Sequence, residues 1–116
     1  MNASVNISVK NLVGPICVSA DDGERLHDTI VKRLATTDAV NVSFEGVEMV
    51  ISAFLNAAIG QLYGELPESS IRERLIVSGM EPEDFELLDR VIDNAKIYFE
   101  NRKSFDDAWK TEIDDE

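Results

Sequence analysis

The sequence predicts one α/β domain, a mixed β-sheet with helices in the order ββαβαβα plus a short C-terminal helical turn. Two patterns carry this. Short stretches such as Val5-Asn6-Ile7-Ser8-Val9 and Val40-Asn41-Val42-Ser43-Phe44 alternate apolar with polar residues, the two-residue period of a half-buried strand. Between them, Leu26, Ile30, Val31 and Leu34, and later Phe54, Leu55, Ala58, Ile59 and Leu62, recur at helical spacing. A chain of 116 residues, 44% of them hydrophobic, suits a single core.

Val5, Ile7 and Val9 define the first strand. Gly14-Pro15 marks a turn, and Ile16-Cys17-Val18 reads as a second short strand, paired with the first as a hairpin at the sheet edge. Ser19 and Asp21 are candidate N-caps for the next helix, with Glu24 placed as a capping-box partner for Asp21. Ala39–Phe44 returns to strand. A loop then leads to a helix beginning near Ser52 and ended by Gly64 and Pro67. Ser69 or Ser70 is placed to cap a short turn through Arg74. Leu75-Ile76-Val77 reads as a strand closed by Gly79. Pro82, among Glu81, Glu83 and Asp84, opens a helix running to about Arg102. Ser104, Phe105 and Trp109 give a weaker signal for a last turn. Residues 1–102 are thus expected to form the domain and 103–116 a partly ordered acidic tail.

The net charge is −12, and residues 81–116 hold 13 acids against 5 bases. Free nucleic acid and anionic lipid are poor partners for such a chain, because phosphate binding calls for a basic face. The charge reads either as serving solubility or as steering a basic protein partner. No apolar run approaches the length of a membrane span. The N-terminus carries no basic region followed by an apolar block. With one cysteine and no intrachain disulfide, a cytoplasmic protein is the simplest reading. Nothing in the pattern separates a monomer from a homodimer.

Residues 40–64 carry a family resemblance. Phe44-Glu45-Gly46-Val47, then Ser52-Ala53-Phe54-Leu55, Ala57-Ala58 and Gly60-Gln61-Leu62-Tyr63 resemble a STAS-like group of bacterial and phage-associated proteins. The group belongs to the sulfate-transporter and anti-sigma-factor-antagonist superfamily. The resemblance implies a non-enzymatic interaction module, with Ser52 at the position of the antagonists' phosphorylated serine. A histidine-kinase-like ATPase is the partner class it implies. Ile51, Ala53 and Phe54 stand where the phosphorylated motif has aspartate, a hydroxyl residue and glycine.

The candidate site residues are Ser52, Glu45, Glu48, Asp21 and Asp22. With Glu81, the acids are expected on the rim at the carboxyl ends of the strands, where open α/β sheets bind ligands. Ser52 reads as an N-cap or as a regulated serine. The acids read as helix-start carboxylates satisfying the dipole. Nothing has a metal-loop spacing, so no metal, cofactor or catalytic residue is expected. His27 reads as a partly exposed structural residue, and Cys17 as a buried thiol. The rival to the interaction switch is an acidic inhibitor that mimics DNA and blocks a nucleic-acid-binding protein through residues 81–116.

Overall fold

Strand β1 (Ser4–Ser8) runs straight into the one-turn helix α1 (Val9–Val13). A computed structural model describes residues 3–114, with side chains through Asn101. The chain continues through β2 (Ile16–Cys17), α2 (Ala20–Leu34), β3 (Ala39–Ser43), β4 (Met49–Val50) and α3 (Ser52–Ala58). A 3-10 turn (Gly60–Gly64), α4 (Glu68–Arg74), β5 (Leu75–Ser78) and α5 (Pro82–Asp114) complete it.

The α/β class holds, and every strand pairing among the described residues is parallel. β3 lies between β1 and β5, with Ile7 opposite Val42 and Val42 opposite Val77. β2 and β4 form a separate two-stranded ribbon, with Ile16 opposite Met49 and Cys17 opposite Val50. The expected hairpin of the first two strands is therefore corrected. Ser8 accepts a hydrogen bond from the Asn11 amide at 3.2 Å and caps α1, turning the chain out of β1. Val9, which reads as the last alternating residue of the strand, is the first helical residue and is fully buried.

The alternation of β3 buries Val40, Val42 and Phe44 on one face. Phe44 meets Phe54 edge to face, with ring centroids 6.5 Å apart. Leu26, Ile30 and Leu34 of α2 pack into the same core, as do Phe54, Leu55, Ala58, Ile59 and Leu62. Val31, expected on the buried face of α2, is 38% exposed, because the buried stripe there is only one residue wide per turn. Gly23 lets α2 and α3 approach closely: a Cβ on it would lie 2.6 Å from the Phe54 carbonyl oxygen. The Arg74 guanidinium donates to the carbonyls of Leu34, Thr37 and Asp38, tying the end of α2 to the start of β3.

Several expected boundaries move. Ser19, not Asp21, caps α2, accepting from the Asp22 amide at 3.0 Å. α4 opens after Pro67, with no capping bond from Ser69 or Ser70. The helix expected from Ser52 to Gly64 tightens into a 3-10 turn after Ala58. α5 runs past Arg102 to Asp114, since no glycine or proline interrupts residues 103–114. The side chains of Ser104, Phe105 and Trp109 lie outside the described residues.

Candidate functional site

The carboxyl ends of β3 and β5 converge on the loop from Phe44 to Glu48. The Phe44 amide donates to the Ser78 carbonyl at 2.8 Å, and the Glu45 amide donates to Ser43 Oγ at 3.3 Å. Gly46 (φ +83°) turns the loop beneath the Lys10 side chain. Gly79 (φ +79°) passes so close to it that a Cβ would meet the Glu45 nitrogen at 2.6 Å. On its far side the loop is tied to the segment before α2. The Glu48 amide donates to the Pro15 carbonyl at 2.8 Å, and the Ile51 amide to the Cys17 carbonyl at 3.1 Å.

These contacts divide the expected cluster of acids. Glu45 and Glu81 do share a cavity of about 180 Å³, joined there by Asp84. Asp21, Asp22, Glu48 and Ser52 do not line it. Asp21 and Asp22 occupy the first turn of α2, where acids suit the helix dipole. Asp22 faces Arg25 at 3.8 Å. No group of three His, Cys, Asp or Glu side chains is disposed to hold a metal among the described residues.

Ser52 is exposed and is the first residue of α3. The cap position belongs to Ile51, whose side chain cannot accept a hydrogen bond, so the expected capping role of Ser52 is corrected. Its side chain instead lines a groove of about 570 Å³ between α3 and α5, with Asn56, Gln61, Asn94, Tyr98 and Phe99 among the other walls.

The sequence reading missed the surface beside it. In the ribbon, Cys17 and Val50 point inward, 0% and 9% exposed, while Ile16 and Met49 point outward, 46% and 53% exposed. Val18 and Ile51 continue the outward rows at 40% and 39%. Four large apolar side chains therefore lead up to Ser52. The sequence gives little signal for it, because Ile16-Cys17-Val18 and Met49-Val50-Ile51 are uniformly apolar and only the pairing reveals which residues face outward.

Cys17 is fully buried, and its thiol is pushed up to about 11, first by burial and then by the nearby Asp22 charge. His27 has a mostly covered side chain whose Nε2 lies 2.8 Å from Glu65 Oε1, tying α2 to the end of the 3-10 turn. Lys96 Nζ lies 2.6 Å from Glu68 Oε1 and 5.8 Å from the centre of the Tyr63 ring. Hydrogen bonding within this pair lowers the Glu68 pKa and raises that of Lys96, while burial raises that of Tyr63. The pair links α4 to α5. No described helix is long and apolar enough to cross a membrane.

Residues 22–85 match a family model described as a STAS-like domain of unknown function (DUF4325). The match takes in everything from the first turn of α2 to the first turn of α5, more than half of the chain. The chain belongs to this STAS-like family, as the residues from Phe44 to Tyr63 led one to expect. No curated protein and no solved structure matches it.

Proposed function

We propose that this STAS-like chain is a non-enzymatic protein-interaction module resembling an anti-sigma-factor antagonist. Its partner docks on the β2–β4 ribbon and the start of α3 around Ser52, with Asp21, Asp22, Glu45 and Glu48 as the acidic surround. A histidine-kinase-like ATPase is the partner class that the family resemblance suggests. The observation that carries the proposal is the row of Ile16, Val18, Met49 and Ile51, outward-facing on a ribbon and contiguous with a hydroxyl that caps no helix. Exposed apolar clusters of this kind mark interaction surfaces. A phosphate on Ser52 would place about two negative charges at the edge of that apolar surface and oppose docking by desolvation.

The acidic-mimic reading draws on α5, where Glu83, Glu86, Asp89 and Asp93 are exposed. The two readings put the partner on different surfaces. The test is to capture the partner from the native host, then titrate it against wild type, Ser52→Glu, Ser52→Ala and the pair Ile16→Asp/Met49→Asp. The switch predicts loss of binding for Ser52→Glu and for the paired aspartates, with Ser52→Ala near wild type. Unchanged binding in those variants, with loss for Glu86→Gln/Asp89→Asn/Asp93→Asn and a steep salt dependence, would favour the mimic.

A further inference from the structure

We propose that the groove between α3 and α5 is a binding site for a neutral nucleobase or nucleoside. Its walls carry five hydrogen-bonding side chains: Ser52 and Asn56 from α3, Gln61 from the 3-10 turn, and Asn94 and Tyr98 from α5. None of the five makes a side-chain hydrogen bond among the described residues. Some other groups of this kind are engaged: Asn41 donates to Asn6 at 3.1 Å, Ser78 donates to Asn41 at 3.1 Å, and Ser8, Ser19 and Ser43 accept from backbone amides. All five are exposed, so among the described residues their donors and acceptors face solvent, where a ligand can replace water.

The chemistry of the walls selects that ligand. Each carboxamide offers a donor and an acceptor side by side, which is how Asn and Gln read the edge of a nucleobase in two hydrogen bonds. Gly60 makes room for one of them: Asn56 Oδ1 lies 2.6 Å from where a Gly60 Cβ would stand. Tyr98 and Phe99 meet at 79° with centroids 5.0 Å apart, so the groove offers aromatic surface to a planar ring. Among the described residues no charged side chain lines the groove, although the chain carries a net charge of −12. That combination favours a neutral ligand and disfavours a phosphorylated one. The volume of about 570 Å³ is that of a small-molecule site. The α5 wall extends only from Val91 to Phe99, about 12 Å at helical rise, which is short for an extended peptide. The groove shares Ser52 with the proposed partner surface, but the ligand is argued from the groove's own walls.

The test is an NMR titration of the full chain, following the side-chain amide signals of Asn56, Gln61 and Asn94. The probes are adenosine, guanosine, cytidine and uridine, the 5′-monophosphate of whichever binds, and a short neutral peptide. At least one nucleoside should shift all three signals saturably at millimolar concentration or below. Its monophosphate should bind several-fold more weakly. Asn94→Leu and Tyr98→Ala, both at exposed positions, should each weaken binding at least tenfold without changing the melting temperature. No saturable shift with any nucleoside, tighter binding of the monophosphate, a response to the peptide alone, or undiminished binding in both variants would overturn the proposal.

Discussion

Gly79→Ala should be among the most damaging single-methyl additions to this protein, and Gly46→Ala is its internal control. The two glycines have nearly the same backbone conformation, φ +79° and φ +83°. An L residue held there loses roughly 1–2 kcal/mol, and that loss is common to both variants. What differs is the neighbour. At Gly46 the new methyl meets Lys10 Cδ at 2.8 Å, the flexible part of an exposed side chain that can swing away. At Gly79 it meets the Glu45 nitrogen at 2.6 Å, with Glu45 Cα and the Phe44 carbonyl carbon both at 3.2 Å. Those are backbone atoms, and the Phe44 amide is bonded to the Ser78 carbonyl at 2.8 Å, so relief requires separating the ends of β3 and β5. Overpacking of that kind adds roughly 1–3 kcal/mol. Gly46→Ala is expected to destabilise by about 1–2 kcal/mol and Gly79→Ala by about 2–5 kcal/mol. Urea unfolding followed by far-UV circular dichroism gives both values. Equal losses, within about 0.5 kcal/mol, would refute the claim that strand-end contact fixes the loop carrying Glu45.

Two further outcomes follow from the core. Replacement of Leu55, fully buried in the core, by alanine should cost about 2–5 kcal/mol of stability, read as a lower melting temperature. The Cys17 thiol, raised from its ordinary 9.0 to about 11, binds its proton more tightly in the folded chain than in the unfolded one. Its contribution is therefore fully present below pH 9 and lost as the pH rises towards 11. Cys17→Ala should remove that part of the alkaline loss, at most about 2–3 kcal/mol; identical stability–pH profiles of wild type and variant would contradict it.

The parts of the fold legible in the sequence are those with a repeating signal. β3 and the residue after it announce themselves through Val40, Val42 and Phe44, and α3 with the following 3-10 turn through Phe54, Leu55, Ala58, Ile59 and Leu62; all eight are buried as the periods require. Pro82 is correctly read as a helix start, and of the two candidate caps Ser19 and Asp21 it is Ser19 that caps α2, because capping and dipole preferences are local. The ribbon was not legible. Its strands have two residues each, too few to show a period, and its pairing joins Ile16 to Met49 across the whole of α2 and β3. At Ser52 the residue type suggested a cap, but the extended residue before the helix is Ile51, one position earlier. That one-residue shift changes the meaning of the hydroxyl, from a group satisfied by its own helix to one turned outward. The groove escaped notice for a different reason: Asn56, Gln61 and Asn94 look like ordinary surface positions until α3 and α5 are brought together.

The ribbon also has a kinetic consequence. Two strands of two residues, held by a handful of main-chain bonds, make one of the smallest cooperative units in the molecule. Segments so lightly held open independently of global unfolding, with free energies well below that of the whole domain. Cys17 faces inward from this segment, shielded only while the ribbon is closed. Its reaction with a thiol reagent under native conditions would therefore count openings of the apolar surface, giving the molecule a built-in clock. A partner that grips the ribbon should slow that clock, whichever residues it uses to do so.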